Sequence, residues 1–364
     1  MAIIHWMGID DHADKWTIAH FRGDEDKPSK EFEVVPDEGG YRKLIAYAKG
    51  LKGEVRIAYE AGPCGYDLYR RLTKAGLRCE VAAPSLTPKK PGERVKTNRR
   101  DAAKIGRYYR SRELTMIAVP DPERESLRDL IRGRSSVQKD LVSIRNQISK
   151  FLLRYGHRYR EGRPWTIRFW TWLRNIELVG HSKKVLEEMI ISFKQRAEQL
   201  ARYDNEIELA SKQAEYAPYV KALTVLRGVN TLTAMTLLAE LGDLRRFSRA
   251  TQLMAAIGLV PSEYSTSDKT VRFSITKTGN AHVRHVAVEA AWHYQKRSTS
   301  GRGIRARRKD QPQALLDIAQ KCDLRLHRKF YRMTSRGKRS TVAAVAVARE
   351  LVGFIWAIGQ IVHP

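Results

Sequence analysis

Apolar and polar positions trade places in short runs over the first third of the chain. Apolar runs at 3–9, 16–21 and 31–35, separated by short polar turns, predict a three-stranded antiparallel meander. Tyr41, Leu44, Ile45 and Ala48 then recur at helical spacing between Gly39 and Leu51. The pattern continues with a strand at 55–59, a helix from about Tyr66 to Ala75, a strand at 78–83 and a helix from about Arg99.

Beyond residue 122 the period changes. Val137, Leu141, Ile144, Ile148 and Phe151 keep a three-four spacing among charges, which predicts a long helix with a coiled-coil-like seam. A second long helix is expected from about Lys183 to Gln213. The aromatic stretch Pro164–Trp172 between them reads either as a hydrophobic plug for a helical hairpin or as a platform for unpaired bases, with packing the better reading. From about Tyr219, the segment Leu223 to Ala234, centred on Gly228-Val229-Asn230, resembles a helix–hairpin–helix turn that presents backbone N–H groups to phosphate. Asn230 is expected there in a left-handed backbone. The stretch from Lys296 to Arg339 is rich in Arg and Lys, Arg305, Arg307 and Arg308 among them, and is read as a helical tail that grips nucleic-acid backbone or forms a solvated face.

The order βββαβαβα over the first third is that of the RNase H fold, an α/β domain with a mixed central sheet. In that fold the first strand, the fourth strand and the last helix each bring one acid to a common point. Asp10, Glu60 and Asp101 fall on those three elements. Taken singly, each acid reads as a turn former or as a partner of a helix dipole. Taken together they predict a metal site, because a divalent ion held by carboxylates and substrate phosphate relieves their mutual repulsion. Asn98 lies one helical turn before Asp101, and its amide oxygen is a candidate neutral ligand. Asp11 alternates to the other sheet face and ranks below Asp10.

Charge strengthens that reading. Lys and Arg number 67 against 40 Asp and Glu, a net charge of +27. Such a surface is suited to a polyanion, with binding steeply dependent on salt. Lys96, Arg99 and Arg100 beside Asp101 are candidate backbone contacts, as are Gly228, Asn230, Lys277 and Arg284. The three cysteines, Cys64, Cys79 and Cys322, form no CxxC pair and signal neither a disulfide framework nor zinc. No run is expected to reach the ~18–20 apolar residues of a membrane span. The N-terminus lacks a signal-peptide pattern, so a cytoplasmic protein, nucleoid-associated when active, is expected.

A second constellation runs from Gly258 through Pro261-Ser262-Glu263-Tyr264-Ser265-Thr266-Ser267-Asp268 to Lys277-Thr278-Gly279-Asn280. It reads as a phosphate-binding loop that could supply a serine nucleophile. No Ser-His-Asp or GxSxG arrangement accompanies it, so ordinary esterase chemistry is not expected.

With these residues in view the chain resembles the DEDD transposases of the insertion-sequence 110 family. The resemblance rests on Gly8-Ile9-Asp10-x-His12, Tyr59-Glu60-Ala61-Gly62-Pro63-x-Gly65-Tyr66, Val95-Lys96-Thr97-Asn98-Arg99-Arg100-Asp101-Ala102, Gly258-Leu259-Val260-Pro261-Ser262-Glu263-Tyr264 and Ile275 to Asn280. It implies a chain of class α/β plus α, with an RNase-H-like (RuvC-like) catalytic domain at 1–122 and a coiled-coil helical region at 123–217. A mainly helical C-terminal transposase domain at 218–300 and a basic helical tail at 301–364 complete it.

The resemblance further implies a recombinase guided by a structured bridge RNA that pairs with donor and target DNA. Mg2+ would be bound by Asp10, Glu60, Asp101 and Asn98, two ions per site, with the second in question because Asn98 replaces an expected Asp. A C-terminal serine, Ser265 or Ser267 flanking Thr266, would form a phosphoserine link to DNA within a homo-oligomer, a dimer or tetramer. The competing readings are a junction-resolving nuclease that uses water, and a non-catalytic nucleic-acid-binding relative.

Overall fold

The computed structural model describes residues 3–88, 97–266, 269–297 and 301–362; the side chains of residues 265, 266, 269, 270 and 272 also lie outside the description. The chain divides into two compact units, Met1–Pro120 and Asp121–Pro364.

The first unit follows the hydrophobic alternation. Strands β1 (Ile4–Asp11), β2 (Trp16–Arg22) and β3 (Lys30–Val34) form the antiparallel meander. They are followed by α1 (Glu38–Lys49), β4 (Glu54–Glu60), α2 (Asp67–Lys74), β5 (Arg78–Ala82) and α3 (Asn98–Arg110). The sheet order is β3-β2-β1-β4-β5, with β1 parallel to β4 and β4 parallel to β5. This five-stranded mixed sheet is consistent with the RNase-H-like order expected from the sequence.

The two sheet faces are covered separately. Met7, Ile9, Ile57 and Tyr59 pack with Tyr41 and Leu44 of α1 and Leu68 and Leu72 of α2. Trp6 and Ala58 pack on the other face with Ala102, Ala103 and Ile105 of α3. Helix starts are fixed by side chains that accept otherwise orphan N–H groups. Asp37 accepts from Gly40 at α1, and Thr97 accepts from Arg100 at α3.

The second unit begins with α4 (Pro122–Arg154), started by Asp121 as its cap and proline at its first position. Then come α5 (Ile167–Arg174), α6 (His181–Ala210), α7 (Ala217–Leu223), α8 (Thr231–Leu241), α9 (Ala250–Ala256), the hairpin β6 (Pro261–Thr266) and β7 (Lys269–Ile275), α10 (Ala281–Ala291), α11 (Arg302–Arg308), α12 (Gln313–Ser335) and α13 (Ser340–Gly359). Helices α4 and α6 are antiparallel neighbours: Arg134 pairs with Asp204, and Arg196 reaches Asp140. The seam residues Val137, Leu141, Ile148 and Phe151 are buried.

The aromatic stretch is mostly core. Phe169 and Leu173 of α5 are buried with Leu141, Ile148 and Phe193, and Trp165 stacks on Phe193 at 5.3 Å between ring centroids. The larger core of this unit joins Leu127 and Ile131 of α4 to α7–α10, α12 and α13.

Helix α13 corrects one expectation. By length and composition it is apolar enough to cross a membrane. Its Ala343, Val347, Leu351 and Ile355 are buried in the unit's core, which accounts for the apolar run as a core helix.

Candidate active site and nucleic-acid interface

Strand register sets Asp10 beside Glu60. Ile9 pairs with Tyr59 across the parallel β1–β4 ladder, so the next residue on each strand is an acid at the C-terminal end of the sheet. Alternation places both on the face covered by α3, because Gly8 and Ala58, two residues earlier, already lie there. Helix α3 sits almost backbone-to-backbone on that face. A Cβ on Gly8 would lie 2.2 Å from the carbonyl oxygen of Ala102 and 2.2 Å from the nitrogen of Gly106. Asp101, the neighbour of Ala102, is thereby held in a helical first turn that presses on β1.

Strand register and the packing of α3 thus bring the elements that bear these acids together. Among the described residues no three His, Cys, Asp or Glu side chains form a group able to hold a metal ion. One contact at Asp10 is with His12, whose Nε2 lies 3.2 Å from Oδ2, with the Asp10 side chain 17% exposed. The donor chemistry nevertheless suits magnesium, which favours hard oxygen ligands and commonly takes only one or two carboxylates with waters and phosphate. Asn98 is the first residue of α3 and is exposed.

Asp11 has a different task. Trp16 Nε1 donates to its Oδ1 at 2.7 Å, and burial pushes its carboxyl above the usual aspartate value. It ties β1 to β2 on the opposite face.

The outer surface of α3 is cationic. Arg100, Lys104, Arg107 and Arg110 line a cleft of about 370 Å³ together with Tyr108, Ser111 and Glu113, and Arg110 also pairs with Asp26 at 3.2 Å. Arg99 is exposed near its start, and Lys96 lies outside the described residues. One helix thus carries Asp101 and a row of cations suited to phosphate.

In the second unit the hairpin β6–β7 is held at its base by backbone packing. Gly258 (φ +66°) and Gly279 (φ +85°) allow this: a Cβ on either would lie about 2 Å from a backbone oxygen, Thr278's at 2.1 Å and Ala256's at 1.9 Å respectively. Lys277, also left-handed at φ +57°, is exposed in the same turn and donates its N–H to Gly258 O. Ser262 Oγ donates to Ser274 O across the two strands. Ser265 lies on β6, its side chain and that of Thr266 not described, and Ser267 lies outside the described residues.

Glu240 is the residue that sequence reading passed over. Its side chain is 1% exposed; it accepts two hydrogen bonds from Arg132 of α4, at 2.8 and 3.0 Å, and one from Asn280 Nδ2 at 2.7 Å. Burial by itself would push this carboxyl up, but the bonds from Arg132 and Asn280, with the charges of Arg132 and Arg128, leave it below the usual glutamate value. Asn280 meanwhile caps α10 by accepting from Val283 N–H. Glu240 therefore ties α4 and α8 to the turn beneath the hairpin.

The other expected phosphate contacts are placed as follows. Gly228 takes the left-handed backbone (φ +81°) and packs on Ala290, while Asn230 is extended and caps α8 through Thr233 N–H. That corrects the expectation of a left-handed Asn230: a cap needs a β-region backbone. Arg307 donates to Val229 O at 2.6 Å, and Arg308 donates to Val225 O and pairs with Asp323 at 2.8 Å. These two arginines bind the α7–α8 turn of their own chain, whereas Arg305 is exposed. Arg284 donates to Ile257 O at 2.9 Å.

Comparison with known proteins agrees with this arrangement. Residues 7–157 match the DEDD transposase model of the IS110 group, and residues 220–306 match the model described as "Transposase IS116/IS110/IS902 family". A protein named as a transposase, y4qE, from Sinorhizobium fredii is 40% identical over 90% of this chain and 81% of its own. The transposase for insertion sequence element IS1533 from Leptospira borgpetersenii is 30% identical over 92% of this chain and 98% of its own. The transposase for insertion sequence element IS1111A from Coxiella burnetii is 28% identical over 61% of each chain. The chain belongs to the IS116/IS110/IS902 family of transposases, enzymes of DNA transposition.

Proposed function

We propose that this transposase is an RNA-guided DNA recombinase in which Asp10, Glu60 and Asp101 hold Mg2+, with Asn98 as a neutral donor beside them. The observation that supports the metal-site part of the reading is the Gly8–Ala102 packing, which sets the turn bearing Asp101 against the sheet face that bears Asp10 and Glu60. When bound, the metal would supply electrostatic stabilisation of the charge that develops on a phosphate oxygen. The chain's own groups have separate tasks. The carboxylates hold their positions through strand register and helix packing, and His12 orients Asp10. The cations along α3 bind backbone phosphates.

The nucleophile in this reading is a serine of the β6–β7 hairpin, Ser265 or Ser267. Its oxygen forms a bond to phosphorus as the bond from phosphorus to one sugar oxygen breaks, and the released strand end takes up a proton. The phosphodiester energy is kept in the phosphoserine, so a second strand end can reverse the step and complete the exchange. The partners are donor and target DNA, a structured bridge RNA and further copies of the chain as a dimer or tetramer. Residues 1–122 would be the catalytic domain, 123–217 a helical arm, 218–300 the hairpin-bearing domain and 301–364 its helical closure.

Incubation of the protein with its flanking non-coding RNA, element-end DNA and Mg2+, followed by a denaturing gel, tests this. A protein–DNA adduct lost on Ser265→Ala or Ser267→Ala is expected. Cleavage with no adduct would support water as nucleophile, and absence of any cleavage would overturn the enzymatic reading.

A further inference from the structure

The helical arm of the second unit contains a cleft that its core does not use. It measures about 380 Å³ and lies between the C-terminal end of α4 and α5. Leu152 and Phe169 form a buried apolar floor, and Tyr159 and Trp172, both half-buried, pack on each other as one tilted aromatic pair at 5.2 Å between ring centroids. Lys150 and Arg158 are exposed at its rim, and no acidic residue is among those described as lining it. The Tyr159 hydroxyl is buried and has no hydrogen-bond partner among the described residues.

The geometry points to a binding site for one unpaired nucleotide of a single strand: the base laid against the Trp172 side of the Tyr159–Trp172 pair, the adjoining phosphate at Lys150 and Arg158. A volume in the range of small-ligand sites, a half-buried aromatic pair and a rim with two cations and no acid together match a base with its phosphate. An apolar peptide side chain would fit the floor and leave the cations without a partner. A duplex does not qualify, because its bases are stacked and paired. The inference concerns a site separate from Asp10, Glu60 and Asp101, and it stands or falls independently of the strand-exchange reading.

The test uses the full-length protein and fluorescence anisotropy with labelled single-stranded RNA, single-stranded DNA and a duplex of the same sequence. Trp172→Ala is expected to weaken single-strand binding about tenfold and to leave duplex binding unchanged, the scale expected for loss of one stacked base. Trp172→Phe, which keeps an aromatic wall, should restore most of it and serves as the folding control. Lys150→Ala with Arg158→Ala should flatten the dependence of single-strand affinity on salt. A 4-thiouridine or 4-thiothymidine in the strand should photocrosslink to Tyr159 or Trp172, and the RNA and DNA arms identify which strand supplies the nucleotide. Equal losses for single strand and duplex, or single-strand binding unchanged in Trp172→Ala, would overturn the proposal.

Discussion

Gly8 and Ala102 touch through their backbones: a Cβ added to Gly8 would lie 2.2 Å from the Ala102 carbonyl oxygen. The contact leaves no room for any side chain on β1 at this point. It brings the start of α3 closer to the sheet than ordinary helix-on-sheet packing would allow. Asp101 and Asp10 each lie within two residues of the contact, so what happens there is transmitted to both.

Gly8→Ala should therefore push α3 off the sheet. We expect a loss of about 1–3 kcal/mol of stability, the usual scale for overpacking, and a larger fall in strand cleavage because Asp101 moves with its helix. Gly62→Ala is the control, since a Cβ there meets nothing nearer than 3.9 Å. Chemical denaturation and a cleavage assay on both variants check the pair.

Asn98 opens α3 and is exposed, so Asn98→Asp places a negative charge at a helix N-terminus. The dipole favours it by about 0.3–1 kcal/mol. Thermal unfolding should show an unchanged or slightly raised midpoint, and titration with Mg2+ should show equal or tighter binding. Loss of metal binding in this variant would mean that Asn98 does not stand near the ion.

Glu240→Ala removes the acceptor shared by Arg132 and Asn280. It should cost about 3–5 kcal/mol, the scale for breaking a buried ion pair from one side. Glu240→Gln keeps the volume and one acceptor oxygen, and should cost less. Because the depressed Glu240 pKa contributes stability above the ordinary glutamate range and loses it as pH falls through the folded value, the wild-type protein should approach both variants at low pH. Denaturation at several pH values reads both effects.

His20 gives a second pH dependence in the other unit. Burial first, then the neighbouring His5, lower its pKa to about 4. His20 Nε2 and His5 Nδ1 are 2.9 Å apart, and His20 Nδ1 lies 2.8 Å from Tyr47 Oη. The unfolded chain thus binds a proton near pH 6.5 that the folded chain refuses until about 4. Stability from this group is fully present above pH 6.5 and falls by about 1–3 kcal/mol as pH drops toward 4. His20→Gln should flatten that window in a pH series of melting curves.

Much of the first unit was legible because its signals are local. The runs ending in Asp10 and Glu60 are short apolar stretches closed by an acid, and the helix expected from about Arg99 begins at Asn98, so strand ends and helix turn were placed to within a residue. Glu240 was not legible. It is a lone acid in the apolar helix Thr231–Leu241, and its partner Arg132 lies 108 residues away on α4. Arg307 and Arg308 looked like members of a solvated basic run. Only tertiary packing shows that they grip Val225, Val229 and Asp323, because a long guanidinium reaches carbonyls that no local pattern reveals. Pro164–Trp172 carried two readings, and the burial of Phe169, with Trp165, Trp170 and Trp172 packed against the same core, favours packing; Trp172 also lines a cleft.

The most direct test of the account is single-turnover DNA strand cleavage by Asp10→Ala, Glu60→Ala and Asp101→Ala, measured beside RNA binding and thermal unfolding of the same proteins. Each substitution is expected to abolish cleavage while RNA binding and the folded state persist, if the three acids serve the proposed metal-dependent chemistry alone. Cleavage at the unsubstituted rate in all three variants would contradict it.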